Sequence, residues 1–152
     1  MNIRFVKLRS GSTDHVVVNA VDVPARQWPG LARRLCQAAQ GAGADALIGL
    51  AHAGRGRFDL TCLGGDGTTV PATVWTAAAA AVAVRRRYGY QVVRLHADDG
   101  IFEATAQGQQ VRIRLGGHQS APDHPDGWLV TVRYAFDGEI VHHASASGLF
   151  AD

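Results

Sequence analysis

The chain has 152 residues, a formal net charge of +2, 47% hydrophobic residues and 18% charged ones. That length predicts a single domain over 1–152 with a core of its own, and the composition is that of an ordinary globular protein. So small a net charge argues against a nucleic-acid partner, and the apolar stretch 77–84 is far too short to span a bilayer.

In chain order, residues 3–8 and 15–19 read as strands separated by a Ser/Gly-rich turn. The segment 31–39 reads as a helix, with Leu31, Leu35 and Ala38 on one face, Pro29 in its first turn and Gly41 as its stop. Short strands at 46–50 and 58–63 lead to Gly64-Gly65-Asp66-Gly67, a turn open to positive φ. Residues 73–88 read as a long helix, apolar almost all round, which other elements must wrap. Arg85-Arg86-Arg87 at its end offset the negative pole of the helix dipole, a bland role preferred to phosphate binding. Strands follow at 91–97, 101–106, 110–115, 128–135 and 139–143, with hairpin turns at Asp98-Asp99-Gly100 and Asp137-Gly138. The loop 116–127 carries no such pattern. The sum is α+β: a mainly antiparallel, barrel-like sheet wrapped around one long apolar helix.

Cys36, placed mid-helix, and Cys62, placed mid-strand, have no motif spacing and read as small buried hydrophobes. The chain opens on a strand-like segment interrupted by Asn2 and Arg4 rather than on a signal peptide, so a cytoplasmic location is the default. Of seven histidines, His118 and His124 share the 116–127 loop with Asp123 and Asp126, and His142-His143 lie on a late strand. Their spacing matches no metal motif, and Pro122 and Pro125 suggest a solvated loop, so no metal and no cofactor are expected.

Three segments carry a family resemblance. Lys7-Leu8-Arg9-Ser10-Gly11-Ser12-Thr13-Asp14-His15-Val16-Val17-Val18-Asn19, then Leu31-Ala32-Arg33-Arg34-Leu35-Cys36 with Gly41-Ala42-Gly43-Ala44-Asp45-Ala46-Leu47-Ile48, then Asp66-Gly67-Thr68 together resemble the first lobe of diaminopimelate epimerases. The resemblance is specific over 3–115. More faintly, 138–141 and 145–150 resemble the returning hairpin of that family, placed here within 128–150. The resemblance implies one epimerase-like lobe without its pseudo-symmetric mate, and hence a homodimer that covers the face left open.

The same resemblance shows where the chemistry changes. The family has Met-Cys-Gly-Asn-Gly, with the catalytic thiol, where this chain has Ala72-Thr73-Val74-Trp75-Thr76. Its two substrate-binding asparagines are replaced by Thr13 and Gly64, and a phenylalanine by His15. The family holds its substrate's carboxylate on backbone amides at a helix N-terminus, an approach that Val74 and Trp75 narrow. The departures gather at the substrate site while the scaffold agrees, which implies a new ligand or none.

Proton transfer at a carbon needs a base and an acid within reach. A related isomerase of phenazine biosynthesis uses a carboxylate in place of thiols, so Asp14, Asp66 and Thr73 are the candidate catalytic residues. Thr13, His15, Gly64, Val74 and Trp75 are the candidate ligand-binding ones. Each has a plainer role: Thr73 as a helix cap, Asp66 and Asp14 as turn residues beside Gly or Ser. Adjacent strand residues point to opposite faces, so Asp14 and His15 form no simple dyad. The resulting expectation is an isomerase-like protein that works on a small amino-acid-like or biosynthetic intermediate, without two-cysteine racemisation. The alternative is a non-catalytic small-molecule-binding or assembly protein. A pocket with convergent carboxylates beside Thr73 separates the first from the second.

Overall fold

The computed structural model describes residues 2–10, 13–36, 44–98, 100–107, 110–116, 129–133 and 140–145. Its strands are β1 (Asn2–Ser10), β2 (Thr13–Asn19), β3 (Ala46–Gly54), β4 (Arg57–Gly64), β5 (Thr69–Val70), β6 (Val92–Ala97), β7 (Gly100–Gln107), β8 (Gln110–Gly116), β9 (Leu129–Arg133) and β10 (Ile140–Ser145). Two short α-helices form, α1 (Trp28–Leu35) and α2 (Val74–Tyr88), where the sequence predicts helices at 31–39 and 73–88, and a 3-10 turn at Ala25–Gln27 leads into α1.

The sheet order is β10-β1-β2-β3-β4-β6-β7-β8-β9, with β5 attached to β4. The sheet is mixed: β2–β3 and β4–β6 are parallel, and the remaining pairs antiparallel. A parallel pair needs a crossover connection, and α1 and α2 lie in those two connections. The expected hairpin within 128–150 is not the pairing observed, because β9 pairs with β8 and β10 with β1. The last strand reaches the first, but β9 is not its partner; the turn Asp137-Gly138 lies outside the described residues.

α2 touches β1, β2 and β3 as well as β6, β7, β8 and β9. Seven strand spacings separate β1 from β9 in the sheet order, roughly 34 Å in a flat sheet. A helix is only about 10–12 Å across, so the sheet must curl round α2 into a half barrel. Its concave face supplies Leu8, Val17, Ile48, Leu60, Leu95, Phe102, Ile113 and others to one core. The α2 side chains from Thr76 to Val84 are all buried there, and their small size allows strands to approach from every side.

A second core lies on the other face of β1–β4, where α1 packs Trp28, Leu31, Ala32 and Leu35 against Phe5, Val16, Val18, Leu47 and Leu63. Trp28 donates its indole N–H to the Val23 carbonyl at 3.0 Å. Its ring lies on β3 at Gly49, where any Cβ would run into it. α1 begins at Trp28 rather than Leu31 because Pro29 suits its first turn. Both faces of β3 are therefore covered, and Leu47, Ile48, Gly49 and Leu50 are buried in succession. On β8 only one face is covered, so Val111, Ile113 and Leu115 are buried while Arg112 and Arg114 are exposed.

Candidate functional site at the amino end of α2

α2 starts where Thr73 leaves the helix for an extended conformation (φ −114°, ψ 175°). The Thr73 hydroxyl accepts the Thr76 N–H at 3.3 Å, and the Thr76 hydroxyl accepts the Thr73 N–H at 3.2 Å. This reciprocal capping box satisfies two amides that the helix itself cannot. The hydroxyl that takes the place of the family thiol is thus engaged in holding the helix start. Behind it, Val74 is half-buried and Trp75 is 40% exposed.

The strands bring the other candidates to the same end. The buried Cys62 lies 4.0 Å from the Thr76 hydroxyl, and Phe58, earlier on β4, meets the ring of Tyr88 at the far end of α2. β4 and α2 therefore run in opposite senses, and Gly64 lies beyond the first turn of α2. Gly64 is paired with Ala46, and Ala46 with His15. Thr13, His15 and Gly64 thus lie on strand ends at the amino pole of the helix.

Alternation decides which of Asp14 and His15 faces the helix. Val17 packs in the α2 core and Val16 and Val18 in the α1 core, so His15 faces α2 and Asp14 the opposite side. His15 is 2% exposed, and its Nδ1 has no hydrogen-bond partner among the described residues. Burial pushes the imidazole down from 6.5 to about 4, against the opposing pull of Asp45 and Asp14. The ring is neutral at neutral pH. A buried polar atom without a partner costs free energy, and nothing in the strand pairing requires a histidine here.

Asp14 is half-buried, and its backbone is locked to Asp45: its N–H donates to the Asp45 carboxylate, and the Asp45 N–H to its carbonyl, each at 2.8 Å. Asp66 lies in the exposed turn after β4. It accepts the Thr68 N–H at 3.0 Å and the Thr68 hydroxyl at 2.7 Å, and these bonds hold its carboxyl below the usual range. Gly67, at φ 84°, closes this turn against α1, where a Cβ would meet Arg33 Nη1 at 2.6 Å and the Pro29 carbonyl at 2.7 Å. The Asp14 backbone and the Asp66 carboxylate thus have separate structural tasks.

Both thiols are protonated. Burial raises Cys62, and burial followed by the Asp45 carboxylate lifts Cys36 to about 11. Cys36 is half-buried and caps α1 at its carboxyl end rather than sitting mid-helix. Among the described residues no group of three or more His, Cys, Asp or Glu side chains could hold a metal. His118, Asp123, His124 and Asp126 lie outside the described residues, as do the side chains of His142 and His143. No helix among the described residues is long and apolar enough to cross a membrane.

Three features of this end carry no local signal in the sequence. Asp45 escaped notice because only strand pairing brings it to Asp14. The two-residue β5 is too short for a periodic signal. A cavity of about 270 Å³ beside Ala72, with Leu60 and Cys62 buried in its wall, arises from how strands diverge.

No protein-family model matches the chain, and no curated protein sequence matches it. Solved structures do match. A phenazine biosynthesis protein of the PhzF family from Enterococcus faecalis superposes with a TM-score of 0.59 at 9% identity, over 74% of this chain and 44% of that one. Methylitaconate-delta-isomerase gives 0.55 at 13% identity, over 75% and 42%. A hydroxyproline epimerase from Agrobacterium vitis, with bound trans-4-OH-L-proline, gives 0.54 at 14% identity, over 74% and 41%. The chain has the diaminopimelate-epimerase-like fold. It spans less than half the length of each of these proteins, and at such identities the likeness is one of fold alone.

Proposed function

We propose that this chain is the lobe of an isomerase-like protein that moves a proton on a small amino-acid-like or biosynthetic intermediate, without two-thiol racemisation. His15 is the observation that carries the reading: a buried, neutral imidazole with an unengaged Nδ1, facing the amino end of α2. A neutral imidazole is the form that accepts a proton. The base takes the proton from a carbon beside a carbonyl, and an acid returns one to that carbon or to its conjugated neighbour. Asp14 is the carboxylate next to that base in the chain. Thr13, Gly64, Val74 and Trp75 border the ligand, while Asp66 and Thr73 hold the turn and the helix start in place. The shared fold with methylitaconate-delta-isomerase and a hydroxyproline epimerase supports the class. The exposed indole of Trp75 fits a two-fold homodimer across this end, which sedimentation of wild type and Trp75→Ala would reveal as a dimer weakened in the variant.

The test is incorporation of deuterium from heavy water into a panel of amino acids and unsaturated organic acids. The reading predicts incorporation into at least one member, lowered about 100-fold or more in His15→Gln. It predicts none into diaminopimelate, in wild type or in Thr73→Cys. A panel that neither exchanges nor binds overturns the reading.

A second reading is a non-catalytic small-molecule-binding protein on the same scaffold. It is favoured by the engagement of Thr73 and Asp66 in the cap and the turn. Saturable binding of a panel member without exchange would select it.

A further inference from the structure

One edge of β4 serves two different strands. β6 pairs with it in parallel at Arg57, Phe58 and Asp59, and β5 pairs antiparallel at Cys62 and Leu63. Among the described residues, Leu60 and Thr61 have no strand partner on that edge. The pairing of β6 stops at His96, and Ala97 and Asp98 swing away from β4. The sheet forks there, and the cavity of about 270 Å³ fills the fork.

Leu60, Thr61 and Cys62 all line it. Side chains alternate along a strand, so three successive residues can share one cavity only if it meets the edge of the strand. Backbone groups also alternate between the two edges: Leu60 presents its own to this edge and Thr61 to β3. The Leu60 N–H is taken up in the Asp59–His96 pairing, so the Leu60 carbonyl borders the space. Leu60 and Cys62 are buried, Val70 and Ala72 half-buried, and Pro71 and Asp98 exposed. Among the described residues of the lining, Asp98 is the one that carries a charge.

We propose that this fork is a ligand site, separate from the groups assigned to proton transfer, and that it takes a compact primary amine with an apolar body. The volume falls just under the roughly 300–1,000 Å³ of drug-sized ligand pockets, which limits the occupant to a small molecule. The apolar body lies on Leu60, Val70, Pro71 and Ala72, and the ammonium group meets the Asp98 carboxylate. The Leu60 carbonyl on that edge accepts a hydrogen bond from the ligand, which an apolar wall could not. Divergence of neighbouring strands places ligand crevices in other α/β sheets as well.

Benzylamine, benzyl alcohol and benzoate have nearly the same shape and differ in charge, so they serve as probes for amide chemical shifts at Leu60, Thr61, Val70 and Ala97. The proposal predicts saturable shifts, with benzylamine about two- to five-fold tighter than benzyl alcohol, the worth of one solvent-exposed charge pair. Benzoate is the weakest of the three, and Asp98→Asn removes the preference. Ala72→Leu fills the fork and abolishes binding, and Ala97→Leu does the same if the first variant does not fold. Failure of every probe to give a saturable shift, benzoate binding as well as benzylamine, or binding retained in a folded filled variant would overturn it. None of these outcomes bears on deuterium exchange at the His15 end, so the two readings stand or fall separately.

Discussion

The two ends of α2 are built on different terms. At the carboxyl end the polar groups described have partners. Gly89, at φ 80°, donates its N–H to the Arg85 carbonyl at 2.8 Å and ends the helix. Arg85 donates to the Ala106 carbonyl, and Arg87 pairs with Asp22 at 2.5 Å while lying over the Tyr88 ring. The Tyr88 hydroxyl donates to Asn19, and Phe58, His52, Tyr88 and Tyr90 pack their rings together. The amino end has a satisfied cap, but beside it lie a buried imidazole nitrogen without a partner and an unfilled fork in the sheet. One end is optimised for holding the fold. The other retains features that cost stability, which is the pattern of a site.

The largest effect belongs to the carboxyl end. Phe58 is fully buried among those rings and the α2 core, so Phe58→Ala should cost about 3–5 kcal/mol in denaturant unfolding. A loss below about 1 kcal/mol would mean that this end does not anchor the fold.

Next comes the pH response of His15. Its folded-state value lies below its ordinary one, so the unfolded chain binds the proton more readily. The stability gained by a neutral ring is full above pH 6.5 and is lost as pH falls towards about 4. The loss amounts to roughly 3 kcal/mol. His15→Phe, which puts the residue of the resembling family at this position, should flatten that part of the profile and leave stability at neutral pH equal or higher. An unchanged profile in the variant would assign the acid sensitivity to other groups.

The cap gives the smallest effect. Thr73→Ala removes the acceptor for the Thr76 amide and should cost about 1 kcal/mol, whereas Thr73→Ser should cost little. Deuterium exchange should survive both, because Thr73 holds the helix start and does not carry the proton. Loss of exchange in a folded Thr73→Ala, with exchange kept in Thr73→Ser, would give the hydroxyl a chemical role.

Much of the scaffold was legible in the sequence because its signals are local. The strand stretches at 15–19, 58–63 and 110–115, the helix from 74 to 88 and the threonine cap before it follow from alternation, apolar composition and turn chemistry. The pairing of distant strands was less so. The parallel pairs β2–β3 and β4–β6 depend on crossovers through the two helices, and β10 joins β1 from the opposite end of the chain. No periodicity encodes those choices. The candidate site was drawn from a set of departures at Thr13, His15, Gly64, Thr73, Val74 and Trp75. What each residue does was not legible. The engagement of Thr73 and Asp66, the inward face of His15 and the fork beside Leu60 all depend on which strands end where.

The most direct test of the contrast between the two ends is a pH titration of the His15 ring nitrogens by NMR. A buried neutral imidazole keeps one protonated and one bare nitrogen, with distinct shifts, until the pH falls to about 4, and ligands bound at the amino end of α2 move the Nδ1 signal at neutral pH. A midpoint near 6.5, the ordinary value, together with an Nδ1 signal indifferent to every ligand that binds, would contradict the account.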